Sequence, residues 1–177
     1  ALQPPVPLQV LDVGTGSGCI AVTLASDLYN SAVTAWDISG DALLIARENV
    51  HQWQVRVELK MEDVLHPSAS AMQQQFDVIV SNPPYICEKE RTAMAKNVLA
   101  YEPETALFVP DDDPLRFYRA IAEYGLQVFS EEGTLYFETN PIYINKVKEM
   151  LSCLGYKQIE QREDQFGKLR FIKAIRP

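Results

Sequence analysis

Residues 8–13, Leu-Gln-Val-Leu-Asp-Val, form a mainly apolar run that leads into three glycines at alternate positions, Gly14, Gly16 and Gly18. Cys19-Ile20-Ala21-Val22-Thr23-Leu24-Ala25 then continues as an apolar helix. A short buried strand that feeds a helix through a glycine turn is the unit from which parallel α/β sheets are built. Glycines at these positions permit a tight turn, close approach of the backbone to a ligand, and close packing of helix on strand. The spacing departs from the dinucleotide fingerprint, because Cys19 stands where that fingerprint has its third glycine. Taken alone, such a turn can also be purely structural.

The chain beyond the turn repeats the alternation. Residues 32–38 read as a second strand that carries Asp37 near its end. A carboxylate about 20 residues past the glycines stands where a ribose diol is bound in such folds. A helix N-cap is the other role open to Asp37, but Ser39 or Asp41 fills it more naturally, since 42–46 begins the helical run. Residues 55–59 alternate as a third strand, and Asp63 beyond them falls near the base of a bound nucleoside. Residues 67–75 read as a polar spacer. The clearest buried strand is 76–81, and Asn82-Pro83-Pro84-Tyr85 ends it. Two prolines fix two φ angles, remove two N–H donors and bias Asn82 away from helical geometry. The product is a stiff turn that presents an amide, a free carbonyl and an aromatic ring.

A long connection, 86–113, carries Glu88-Lys89-Glu90-Arg91 and Tyr101-Glu102-Pro103-Glu104-Thr105-Ala106-Leu107. A connection of this length in a compact domain is expected to bind something. A helix from about Pro114 to about Phe129, a strand over 133–139 and a helix over 143–154 with Gly155 at C′ follow. Strands at 156–161 and 169–175 close the chain as an antiparallel hairpin around 164–168. The expected fold is therefore α/β, a mainly parallel seven-stranded sheet with a C-terminal antiparallel hairpin and helices on both faces. In such sheets ligands bind at the carboxyl edge of the strands. Asp12, the 14–18 turn with Thr15 and Ser17, Asp37, Asp63 and 82–85 all fall at or beside that edge.

Bulk properties narrow the function. At 177 residues the chain makes one domain. No apolar run reaches the roughly 20 residues that cross a bilayer, and no signal-peptide pattern opens the chain. The Pro-rich start, without an initiator Met, reads as that of an excised domain. The net charge of −8, with acidic and basic residues interspersed, argues against wide contact with phosphates. Cys19, Cys87 and Cys153 lie far apart without CxxC spacing, which predicts neither disulfide framework nor zinc site and fits a reducing cytoplasm. His51 and His66 have no ligand-spaced companions, so no metal is expected.

Asp12-Val13-Gly14-Thr15-Gly16-Ser17-Gly18 resembles the first motif of class I S-adenosylmethionine-dependent methyltransferases, whose sheet is Rossmann-like. Ser81-Asn82-Pro83-Pro84-Tyr85-Ile86 resembles the Asn-Pro-Pro-Tyr motif of enzymes that methylate planar nitrogens. With the 101–107 segment, the whole chain resembles the catalytic domain of the HemK/PrmC family, protein-glutamine N5-methyltransferases that act on peptide-chain release factors. The resemblance implies S-adenosylmethionine as cofactor and S-adenosylhomocysteine as product. It implies that the 14–18 turn holds the methionine part, Asp37 the ribose hydroxyls, and Asp63 with the backbone at Val64 the adenine. It makes Asn82, Pro83, Pro84 and Tyr85 the catalytic set, with Asn82 also at the cofactor. It further implies a small N-terminal helical domain that grips the release factor and is absent from this chain. Where the family has an acidic-glycine pattern, this chain has Phe137-Glu138-Thr139-Asn140-Pro141, so no role is carried over to Thr139 and Asn140.

The nearest alternative is N6-adenine or N2-guanine methylation of nucleic acid, since such enzymes use related Asn/Asp-Pro-Pro-aromatic motifs. The acidic balance and the absence of Lys/Arg clusters weigh against it. A silent scaffold that only binds a partner, and a Rossmann dehydrogenase, are further alternatives; the intact motifs oppose the first and Cys19 with the terminal hairpin the second.

Overall fold

The structure, a computed structural model, describes residues 6–87 and 108–177. The 88–107 part of the long connection, with the Glu88–Arg91 and Tyr101–Leu107 motifs, lies outside the described residues. In chain order the elements are β1 (Leu8–Val13), α1 (Cys19–Asp27), β2 (Ser31–Asp37), α2 (Gly40–Gln52), β3 (Val57–Met61), a 3₁₀ turn (Ala71–Gln73), β4 (Phe76–Ser81), β5 (Ile86–Cys87), β6 (Phe108–Val109), α3 (Arg116–Val128), β7 (Phe129–Glu138), α4 (Ile144–Cys153), β8 (Lys157–Glu163) and β9 (Leu169–Ile175). Seven of the described strands form one sheet in the order β3-β2-β1-β4-β7-β9-β8. The first five run parallel, and β9 runs antiparallel to both β7 and β8. The short strands β5 and β6 pair with each other, parallel.

Side chains alternate across the sheet and build a core on each face. Leu11, Val13, Trp36, Ile79, Leu135 and Phe137 pack with α3 and α4 through Tyr118, Ile121, Val147 and Leu151. Val10, Val33 and Ala35 pack on the other face with Ala21 and Leu24 of α1. The larger core buries three tyrosines, and each phenol finds a carbonyl: Tyr118 donates to Glu138 O at 3.3 Å, Tyr124 to Ala71 O at 2.9 Å and Tyr156 to Ala122 O at 2.8 Å. Burial raises all three above the ordinary phenol range, so they stay neutral donors. The 67–75 segment is consequently more than a spacer, because buried Ala71 seats one of these hydroxyls.

Several element limits differ from the sequence expectation, each for a local reason. The third strand starts at Val57 instead of residue 55 because Val55 is used to end α2. Gln54 adopts φ 54°, Gln54 N–H donates to His51 O at 3.2 Å, and Val55 N–H reaches back to Val50 O at 3.3 Å. That is a Schellman closure with glutamine in the left-handed position usually taken by glycine. The second strand covers Ser31–Asp37, leaving Ile38 outside and exposed. The strand expected at 133–139 is assigned from Phe129, but regular pairing resumes only at Thr134. Phe129 pairs with Phe76 and Thr134 with Val78, so five steps on β7 oppose two on β4. Arg176 closes this excursion by donating to Phe129 O at 2.7 Å and Ser130 O at 3.0 Å.

The excursion folds the Phe129 ring over Gly133, where a Cβ would lie 2.3 Å from Cγ of that ring. The Gly133→Ala variant is therefore expected to lose about 1–3 kcal/mol by overpacking. Urea unfolding checks this, as a lower midpoint with an unchanged slope.

Candidate functional site

The strand order changes direction at β1: the chain leaves β1 for β2 and β3 on one side, then crosses to β4 on the other. Such a switch point opens a crevice at the carboxyl ends of the flanking strands. Two loops meet there. The hydroxyl of Ser81, fully buried at the end of β4, donates to Val13 O at 2.6 Å. This bond ties the start of the glycine turn to the residue before Asn82.

The turn is shaped by Asp12. Its carboxylate is fully buried, and Oδ2 accepts the Thr15 hydroxyl at 2.6 Å and Ala21 N–H at 3.2 Å. The N-cap of α1 is Gly18, at φ 82°, which brings no side chain to cap the helix. Asp12 supplies the missing acceptor from the preceding strand, with the favourable sign for a helix N-terminus. It thus acts inside the turn. Asp12 Oδ1 is buried without a hydrogen-bond partner among the described residues. Gly14 and Thr15 N–H both point to Trp36 O at 2.9 Å, and Gly16 N–H donates to Asp37 Oδ2 at 2.8 Å. Ser17 O accepts from Asn49 Nδ2 at 2.9 Å, which joins the turn to α2.

The glycines divide into two uses. At Gly14 (φ 71°) and Gly16 (φ 56°) a Cβ would find no described atom within 4 Å, so the turn faces open space. At Gly18 a Cβ would meet Ala46 Cβ at 3.1 Å, so this glycine serves helix packing. Asp37 sits half-buried beside the open face, where Oδ1 takes Ser39 N–H at 2.9 Å and Oδ2 takes Gly16 N–H. A carboxylate has about four acceptor sites, so two remain for a ligand. Ser39, not Asp37, caps α2, accepting from Ala42 N–H at 3.2 Å.

Asp63 lies in the loop after β3 with both oxygens engaged, Oδ1 by Leu65 N–H and Oδ2 by the His66 ring, each at 2.9 Å. Desolvation pushes its carboxyl up, but those hydrogen bonds and the His66 and Arg116 charges outweigh it and hold the group below its ordinary value. Val64 packs on the larger core. Across the crevice, Asn82 is exposed, Pro83 buried and Pro84 half-buried, while Tyr85 rests against the same core. The residues left without a role by the sequence prove to support this turn. Asn140 Nδ2 donates to Tyr85 O at 3.4 Å and its Oδ1 accepts Ile142 N–H at 3.0 Å. Thr139, fully buried, donates its N–H and its hydroxyl to Arg170 O at 2.7 and 3.1 Å. Burial raises the Tyr85 phenol above its ordinary value, with the Glu138 charge raising it further and the Arg170 charge opposing. Ser81 opens the Asn-Pro-Pro-Tyr stretch but its bond to Val13 has no sequence signal, and neither do the bonds of Asn140 and Arg170; only their place beside strand ends could have marked them.

Burial pushes Asp12 up from 3.8 to about 6, against the Thr15 and Ala21 hydrogen bonds and with a further rise from Asp37. A carboxyl raised in the folded state binds more protons there than when unfolded, so stability falls as pH rises from about 4 through about 6. Asp12→Asn keeps an oxygen for Thr15 and Ala21 but does not titrate. The wild type is expected to lose about 2–3 kcal/mol relative to Asp12→Asn between pH 4 and pH 7. Denaturant unfolding across that range measures the difference.

The chain is similar to known proteins. The chain is 47% identical over 175 residues to the release factor glutamine methyltransferase of Bacteroides thetaiotaomicron, covering 98% of this chain and 62% of that protein. It is 42% identical over 167 residues to the release factor glutamine methyltransferase of Flavobacterium psychrophilum, covering 94% and 58% respectively. The chain thus spans about three fifths of the length of these relatives. Among solved structures, a methyltransferase from Pyrococcus furiosus superimposes with a TM-score of 0.69 at 20% identity, covering 96% of this chain and 75% of that one. A ribosomal protein L11 methylase from Lactobacillus delbrueckii subsp. bulgaricus superimposes with 0.64 at 22% identity, covering 97% and 69%. Both establish the fold. The family model of the methyltransferase small domain matches residues 1–107, which hold the glycine turn, Asp37 and the Asn-Pro-Pro-Tyr turn, and the chain belongs to that family.

Proposed function

We propose that this chain is the catalytic domain of a release factor glutamine methyltransferase, which transfers a methyl group from S-adenosylmethionine to the side-chain amide nitrogen of the glutamine in the Gly-Gly-Gln loop of peptide-chain release factors. The observation that carries this reading is the Ser81–Val13 hydrogen bond, which sets a cofactor-type turn and an amide-binding turn side by side. The sequence relatives, named for that reaction, support the choice of acceptor. The reaction belongs in the cytoplasm, where its substrate works.

The chain's residues fit the cofactor. The open face over Gly14 and Gly16 takes the methionine part, and Asp37 keeps two acceptor sites for ribose hydroxyls. The Asp63–Val64 loop flanks the adenine, with Asp63 stiffening it through Leu65 and His66. When bound, S-adenosylmethionine supplies a sulfonium methyl and leaves as S-adenosylhomocysteine. The protein's part is geometric. An amide nitrogen is a poor nucleophile because its lone pair is delocalised into the carbonyl. The Asn82 side-chain oxygen and the Pro83 carbonyl accept its two N–H groups and aim the nitrogen, while Tyr85 packs on the amide plane. Asn82 is neutral and acts by alignment; being exposed, it leaves a path to solvent for the proton lost from the methylated nitrogen. Orientation of this kind can take up to roughly 7–11 kcal/mol off a barrier, and two proline rings keep the acceptors preorganised.

The test is transfer of labelled methyl from S-adenosylmethionine by the full-length enzyme to a purified release factor, to its Gln→Ala loop variant, and to ribosomal RNA and DNA. Label on the wild-type factor alone supports the reading; label on nucleic acid alone overturns it. Asn82→Ala is expected to lower turnover roughly 10²–10³-fold, the scale set by losing one preorganised hydrogen-bonding group, with cofactor affinity unchanged by calorimetry. Asp37→Ala is expected to weaken cofactor binding about 10- to 100-fold, as fits the loss of a charged hydrogen-bond acceptor; equal affinity before and after refutes its role.

A further inference from the structure

We propose that Asn140 is a positioning residue for the acceptor turn: its side-chain amide, fixed where β7 passes into α4, holds the Tyr85 carbonyl and so sets how Asn82 and the Pro83 carbonyl face the methyl donor. The inference rests on the acceptor role proposed for the 82–85 turn. Sequence resemblance gives Asn140 no role, and its partner lies 55 residues back in the chain.

The turn needs such a hold because of its own composition. Pro83 and Pro84 have no N–H, so the turn is rich in carbonyls and poor in donors. A carbonyl is held by a donor, which must then come from elsewhere in the fold. Asn140 supplies it: Nδ2 donates to Tyr85 O at 3.4 Å, while Oδ1 accepts Ile142 N–H at 3.0 Å. These two neighbours fix which way round the amide sits. Ile142 N–H can only donate and Tyr85 O can only accept, so the amide oxygen faces the first and the nitrogen the second. The prop is itself anchored. Asn140 is buried, and its own carbonyl takes Tyr143 N–H at 2.9 Å. Three consecutive residues at the end of β7 are tied to three different elements: Glu138 O to the Tyr118 phenol of α3, Thr139 to Arg170 O of β9, and Asn140 to the acceptor turn. The other end of the turn is held by Ser81, bonded to Val13 O. Asn82, exposed, thus stands between two fixed points, one on the cofactor turn and one on β7.

The test uses the full-length enzyme at about pH 8, where a carboxyl is ionised. Asn140→Asp keeps an oxygen for Ile142 N–H but turns the other oxygen on the Tyr85 carbonyl, so two acceptors repel and the turn shifts. It is expected to lower kcat for a release factor about 10- to 100-fold, the scale of a displaced reacting geometry, with cofactor affinity and KM for the factor unchanged. Asn140→Ala removes both bonds without burying a charge, and covers the case in which the aspartate variant does not fold; its kcat falls in the same way. Independently of activity, NMR of protein with labelled tyrosine carbonyls and isoleucine nitrogens isolates Tyr-Ile pairs, and the Tyr85-Ile86 signal is the one lost in Tyr85→Phe. Its carbonyl shift moves in both Asn140 variants as the hydrogen bond is lost. Wild-type kcat in both variants, an unmoved carbonyl signal, or cofactor affinity that falls in step with kcat would overturn the proposal. A wild type that labels no release factor, while the carbonyl signal still moves, overturns the acceptor reading alone.

Discussion

Asp12 takes a negative charge into the middle of the sheet, and the turn above it takes its shape from that charge. An unpaired carboxylate in such a place is strongly unfavourable. Here it is compensated by a short bond from Thr15 and by the first turn of α1, whose own cap is a glycine. The helix gains an acceptor at its positive end, and the loop between is drawn tight enough for Gly14 and Gly16 to face outward. A neutral apolar residue would pack more cheaply at this position, but the helix start and the turn would lose the group that joins them.

Everything else at the site is hung from strand ends. Trp36 O and Asp37 at the end of β2 collect three N–H groups of the turn, and Ser81 at the end of β4 collects the carbonyl before it. The Asn82–Tyr85 turn is held from where β7 ends by Asn140, which Thr139 precedes. Parallel strands deliver their carboxyl ends to one edge, and β9 delivers a residue from its start to that edge by running the other way. The hairpin is therefore part of the site's scaffold as well as a cover for the sheet.

Much of this was legible in the sequence, and the exceptions have a common cause. Gly155 announced the end of α4, and it does adopt φ 92° with Tyr156 N–H closing on Leu151 O. The identical closure at Gln54 could not be read, since glutamine has no preference for that conformation and its neighbours impose it. Residues whose chemistry follows from local pattern, such as Ser39 as a helix cap or Asp37 after the glycines, stand where pattern puts them. Ser81, Asn140 and Arg170 act across the sheet on partners remote in sequence, and ordinary residue types give no local sign of that. Asp12 is intermediate: its place beside the turn was legible, but its role as an internal cap depends on burial that only packing defines.

The Ser81–Val13 bond spans 68 residues, as does the bond from Gln9 N–H to Asp77. The central strand β1 precedes β2, β3 and β4 in the chain yet has β4 as one of its two neighbours. Its pairing thus waits on a long loop closure, whose entropy must be met before any contact rewards it. During synthesis the glycine turn is made before β4 and stays incomplete until β4 has docked. A ligand that needs both loops would be captured only by chains that have already joined β1 to β4, and its binding free energy would be added to the assembled state alone.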